Sequence, residues 1–301
     1  MRGISSFIIH RSSFEMIPHD YHIHSDFSCD CKAAMAEMCR AALANGAREI
    51  GFTEHYDLHP GEPCRDWFRL EPWAAELERC RAEHDGRLTI RAGIEIGEPH
   101  IYQAEAQAMI NRYPFDYVLG SLHWVDSETI FDKEYFRRPA KEAFGLFFEE
   151  LERMTRVGGF DILSHFDVPV RVGFSVYGCY DPCEHEDSIR PVLRNCIERG
   201  IALDINTRAL EIAARVLTPG LDILRWYAEM GGDRITFGSD AHRPVRVGDG
   251  IPAAVSVAKE AGLRYVMQFE KRQARMLPLP SSATPTPTCT NPKRRRTRGS
   301  G

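Results

Sequence analysis

The strongest constraint on the fold is a rhythm of seven short apolar runs, each followed by a stretch of helical pattern. The runs are DYHIHS near residue 20, EIGFTEH near 49, LTIRAGIEIG near 88, DYVLGSLH near 116, GFDILSHFD near 159, GIALDIN near 200 and RITFGSD near 234. Helical patterns follow them, among others at 33–46, 71–86, 141–159 and 251–262. Gly46, Gly86, Gly158, Gly200, Gly231 and Gly262 stand where such helices should stop. Alternation of this kind builds an α/β fold, a parallel sheet covered by helices. Seven units in about 260 residues suit a sheet closed into a barrel. An open doubly wound sheet would need a glycine-rich phosphate loop after its first strand. The segment HSDFSCDCK holds no glycine.

The 301 residues are 43% hydrophobic and 27% charged, enough for a large self-sufficient core. A net charge of -5 argues against a general nucleic-acid binder. No apolar run reaches the roughly 18 residues of a membrane helix. The start, MRGISSFIIHRSSF, lacks the apolar core and cleavage site of a secretory signal. A cytoplasmic protein is expected, with its nine irregularly spaced cysteines reduced rather than paired. Residues 1–17 read as an extension, 18–277 as the folded domain, and 278–301 as a disordered Pro/Thr-rich tail ending in the basic run KRRRTR.

In a β/α barrel, chemistry sits at the C-terminal ends of the strands. Six of the twelve histidines lie there: His22, His24, His55, His123, His165 and His242. Asp240 ends the run ITFGSD, and Glu95 interrupts the apolar run RAGIEIG. A buried carboxylate needs a cation or donors waiting for it. Arg91, four residues away on the same strand face, is one candidate partner and a metal ion is the other. His22 and His24 are two apart, so both rings face one side of a strand, and Asp240 and His242 repeat that spacing. So many ligand-type side chains at one mouth exceed the needs of one ion and point to two or three divalent cations.

The ordered set HIHS, TEH, GIE, GSLHW, SHFD, DINT and GSDAH resembles the motifs of the polymerase-and-histidinol-phosphatase (PHP) superfamily, histidinol-phosphatase branch, from about residue 19 to 265. The resemblance implies a distorted seven-stranded barrel with a trinuclear metal site. Carried over by position, His22, His24, Glu95 and Asp240 would hold the first ion. Asp30, His55 and His242 would hold the second, and Glu95 would bridge to the third with His123 and His165. The ions would be zinc, manganese or iron, with Asp30 favouring the harder ones. The implied substrate is L-histidinol phosphate and the implied pathway histidine biosynthesis.

The residues themselves support a small phosphorylated molecule as substrate, and a phosphate monoester fits the chemistry. Clustered cations neutralise its charge and acidify water for in-line attack. Asp240 or His242 is expected to relay the proton to the leaving oxygen, with a bound water equally able to do so. Arg171, Arg208 and Arg243 are the expected phosphate donors. Glu54, Asp57, Glu98 and Asp126 are acidic candidates to face a substrate amine. A nucleic-acid phosphoesterase of the same fold would predict a basic, aromatic groove. A metal-stabilised binding module would predict gaps in the ligand set. A related amide hydrolase would use a bridging lysine, and no lysine stands at any of the seven run ends.

Overall fold

The structure is a computed structural model and describes residues 17–280. The extension and the basic tail expected from the sequence lie outside the described residues, apart from their innermost positions.

The apolar runs become β1 (Asp20–Ile23), β2 (Glu49–Phe52) with β3 (His55–Tyr56), β4 (Thr89–Gly97) and β5 (Tyr117–Ser121). Two short strands, β6 (Trp124–Val125) and β7 (Glu128–Thr129), form a hairpin just past β5. The remaining runs are β8 (Ile162–Leu163), β9 (Ala202–Asn206) and β10 (Ile235–Gly238). These strands, the hairpin excepted, make one parallel sheet in the order β1-β2-β4-β5-β8-β9-β10, with β3 also on β4. Their residues are nearly all buried, as expected of strands covered on both sides.

Among the described residues eight α-helices follow the strands: α1 (Met35–Ala44), α2 (Leu70–Glu83), α3 (Gln103–Ile110), α4 (Ala140–Val157), α5 (Val170–Tyr177), α6 (Glu186–Arg199), α7 (Leu221–Glu229) and α8 (Ile251–Glu260). The apolar stripe of α4 (Phe144, Phe147, Phe148, Leu151, Met154) faces inward at helical spacing. All six glycines expected to stop helices have positive φ, a region that carries little penalty only without a Cβ. None of the described helices is long and apolar enough to cross a membrane.

Three features depart from or refine the expected fold. First, the run EIGFTEH is two strands, because the chain breaks at Thr53–Glu54 before pairing again with β4. The sheet therefore has eight strands. Second, no continuous ladder joins its two edges. Its edges meet at one bridge, Ile23 to Ala241, flanked by Asp240 N donating to His22 O (2.7 Å) and His24 N donating to Ala241 O (3.0 Å). Below the bridge the buried Asp20 carboxylate replaces ladder bonds. It accepts from Ser239 N (2.8 Å), Ser239 Oγ (2.5 Å) and Gly248 N (2.7 Å). Third, Cys29 and Cys64 are joined in a disulfide, with Cα atoms 5.9 Å apart. They lie 35 residues apart on two loops that only the folded chain brings together.

The end of the sheet where strands begin is plugged. A terminal hairpin of β11 (Tyr265–Glu270) and β12 (Gln273–Pro278) sends Met267 and Phe269 against Tyr21, Tyr117, Leu119, Ile162 and Ala202. Glu49 is neutralised there by Arg91 (2.9 Å) and also accepts from Tyr21 and Gln268. Arg91 thus belongs to Glu49, and Glu95 must find its partners elsewhere.

Candidate metal and phosphate site

Those partners lie at the opposite end. Glu95 is fully buried, and its two carboxylate oxygens face two groups of histidines. Oε2 is 3.0 Å from His55 Nδ1, 3.3 Å from His22 Nε2 and 3.5 Å from His24 Nε2. Oε1 is 3.1 Å from His165 Nε2 and 3.5 Å from His123 Nε2, and accepts from Ser121 Oγ at 2.6 Å. Asp240 Oδ1 lies 3.6 Å from His24 Nε2 and 3.5 Å from His242 Nδ1. On the rim, Asp30 reaches His242 Nε2 at 2.8 Å and His55 Nε2 at 3.7 Å. All nine side chains expected as ligands fall into this one net, and several triplets of them have ligand atoms within 4.8 Å of one another.

The donor set fits metal ions on two independent grounds. His22 Nε2, His24 Nε2, His55 Nδ1 and Glu95 Oε2 are buried and have no hydrogen-bond partner. Leaving such atoms unpaired costs about 1–3 kcal/mol each unless something else satisfies them. Ligands about 2.1 Å from a shared ion stand about 3.0–3.4 Å from each other, close to the spacings seen around Glu95.

The charges agree. Burial would raise the Glu95 and Asp240 carboxyls, yet both are held well below the usual range, Glu95 by His22 and His55, and Asp240 by Arg208 and Arg171. Burial pulls His165 down to about 4, the neutral form that binds a metal. Burial also works against a charge on His22, but Glu95 and Asp240 overcome it and raise that ring to about 10. The pocket therefore favours positive charge next to its carboxylates. Asp240 and His165 have positive φ (51° and 21°), a region uncommon for residues other than glycine.

Two of the three arginines expected as phosphate donors reach the cluster. Arg171, largely buried, donates to Asp240 Oδ2 (2.7 Å) and Asn206 Oδ1 (2.9 Å). Arg208 donates to Asp240 Oδ1 (2.9 Å) and His242 Nδ1 (2.5 Å). Arg243 is 66% exposed and bonds Glu211 at 3.2 Å, with no contact to the cluster among the described residues. The acidic candidates for a substrate amine are mostly engaged within the protein. Glu54 accepts from Ser25 and Ser28, Asp57 from His123, and Glu98 from the backbone of His123 and Trp124, while Asp126 is exposed.

The PHP domain profile matches residues 20–208. The chain belongs to the PHP family. The PHP match stops at Arg208, and the fold carries Asp240 and His242 back to the residues it covers. Among PHP relatives, a protein named "Probable histidinol-phosphatase" from Clostridium acetobutylicum is 30% identical over 257 residues, covering 84% of this chain and 97% of its own. The histidinol-phosphatase of Lactococcus lactis subsp. lactis is 28% identical over 261 residues, covering 83% and 93%. A crystal structure of the Lactococcus lactis histidinol phosphate phosphatase, complexed with zinc, L-histidinol and phosphate, superposes with a TM-score of 0.80 at 26% identity, covering 86% of this chain and 99% of that one.

The sequence reading missed the residues behind the ligands: Asp204, Ser28 and Asn206. Asp204 lies within the apolar run GIALDIN, the same signal that exposed Glu95.

Proposed function

We propose that this chain is a metal-dependent phosphatase that hydrolyses L-histidinol phosphate to L-histidinol and phosphate, a step of histidine biosynthesis. The carrying observation is the set of unpartnered buried nitrogens around Glu95 with two arginines alongside, in a fold shared with a phosphatase that holds zinc, L-histidinol and phosphate.

We assign His22, His24, Asp30, His55, Glu95, His123, His165, Asp240 and His242 to two or three divalent ions, zinc, manganese or iron. Bound there, such ions neutralise the ester's charge and acidify water. The protein's own groups do the rest. Arg171 and Arg208 grip phosphate oxygens, for which a planar guanidinium is suited. Both also hold Asp240 ionised, the form in which a carboxylate binds a metal ion. Asp240, with His242 3.5 Å away, would pass the proton of the attacking water to the leaving oxygen as the ester P–O bond breaks. Phe131, 43% exposed with its ring 5.4 Å from that of His123, offers an aromatic wall to the substrate's imidazole.

We further read residues 18–277 as the catalytic domain of a cytoplasmic enzyme, with appendages at 1–17 and 278–301. The sheet is read as the distorted seven-stranded barrel, with β3 as an offshoot of β2 and the Ile23–Ala241 bridge as its closure; the edge-to-edge hydrogen bonds support this.

The deciding experiment compares phosphate release from L-histidinol phosphate, nucleoside monophosphates and an aryl phosphate, before and after chelation. L-histidinol phosphate should be strongly preferred, and chelation should abolish turnover. Preference for a nucleotide, or for nucleic-acid ends, would replace this reading with a nucleotide phosphoesterase.

A further inference from the structure

Each inward nitrogen of His22, His24 and His123 is Nε2, and each of these rings has its Nδ1 held from behind. His22 Nδ1 lies 3.0 Å from Asp204 Oδ2 and His123 Nδ1 lies 3.0 Å from Asp57 Oδ1. His24 Nδ1 lies 3.1 Å from Ser28 Oγ, which donates to Glu54 Oε2 at 2.6 Å. With its own proton committed to Glu54, Ser28 can only accept from His24. A neutral imidazole has one N–H, and an acceptor at Nδ1 keeps the proton there and leaves the Nε2 lone pair free.

The carboxylates are seated, not incidental. Asp204, Asp57 and Glu54 are all buried. Two of them rest against strand glycines. A Cβ on Gly238 would come within 2.6 Å of Asp204 Oδ1, and one on Gly97 within 2.5 Å of Asp57 Oδ1. At Gly238 that Cβ would also meet His22 Cβ at 2.4 Å, so any other residue there would displace the ring or its carboxylate, and at Gly97 it would displace the carboxylate. Asn206 Nδ2 adds a donor to Asp204 Oδ2 at 3.2 Å.

We propose that Asp204, Asp57 and Glu54, the last through Ser28, are positioning residues that fix the tautomer and ring orientation of His22, His123 and His24 toward divalent cations. The inference rests on the metal-site reading above. None of the three carboxylates need touch substrate, and their effect passes through the histidine each one holds.

The test measures zinc affinity of the chelator-stripped full chain by competition with a chromophoric chelator, with unfolding of the stripped protein followed in parallel. Asp204→Ala, Asp57→Ala and Glu54→Gln should each weaken zinc binding by about 10–100-fold while the stripped protein still unfolds cooperatively. Asp204→Asn, which keeps an acceptor oxygen, should lose less. Asp161→Asn, at the plugged end and bonded to Arg272, should leave zinc affinity unchanged. Folded Asp204→Ala and Asp57→Ala proteins that bind zinc within about threefold of wild type would overturn the proposal. A wild-type chain that takes up no zinc, manganese or iron would instead overturn the metal-site reading itself. Asp204 lies on β9 while Glu54 and Asp57 flank β3, so a variant that fails to fold leaves the others to decide.

Discussion

The two ends of the same strands handle buried charge in opposite ways. Where strands begin, each buried ionic group is answered by the protein: Glu49 by Arg91, Asp116 by Arg81 and Asp161 by Arg272. Where strands end, Glu95 and the rings of His22, His24 and His55 point at one another with atoms left unpartnered. The strands β1 and β4 contribute to both ends, Tyr21 and Arg91 to one, His22 and Glu95 to the other. A satisfied network is structure, whereas an unsatisfied one of lone-pair donors is a place for cations.

The contrast breaks first at Glu95. Glu95→Gln should lose metal and lower kcat by about 10³-fold, read by metal analysis and phosphate release. Full metal content with full turnover would mean that the two ends do not differ. The mirror experiment is Arg91→Met. It should lower stability by about 2–3 kcal/mol in denaturant unfolding, because it strands a buried carboxylate, and leave metal content and kcat alone. Loss of metal there would show that the ends are coupled.

Arg171→Lys sharpens the comparison within the mouth. It keeps the charge but loses the planar fork, so KM for the phosphate ester should rise about tenfold with a smaller change in kcat. The smallest effect concerns His19, near the start of β1. Burial lowers its pKa to about 3, and its Nε2 accepts from Phe237 N at 3.2 Å, a bond that only the neutral ring can make. The unfolded chain takes up this proton near pH 6.5 and the folded chain resists until about 3. Stability should therefore fall as pH drops through that window, by at most about 1.4 kcal/mol per unit. Denaturant midpoints of wild type and His19→Gln at pH 7 and 5.5 should converge toward the acid side, and parallel midpoints would refute the assignment.

Much of the site was legible because its signals are local. A carboxylate inside RAGIEIG, paired histidines in HIHS and an Asp-x-His after ITFG each break a pattern that otherwise reads as buried strand. Glycines with positive φ marked helix ends for the same reason, since the requirement lies in the backbone of one residue. Long-range pairings were not legible. Arg171 and Arg243 look alike in the sequence, yet one holds Asp240 and the other Glu211. The hairpin of β11 and β12 that plugs the lower end follows a helix with no cue to its target.

The chain's own order of residues thus determined an α/β alternation and the types of side chain at each strand end, because strand and helix periodicities act over a few residues. Tertiary structure alone decided that Cys29 meets Cys64, that Asp20 takes the place of ladder bonds, and that Asp204 backs a histidine 182 positions away. Those outcomes depend on strand register and on how the sheet curls, quantities set by the whole core at once.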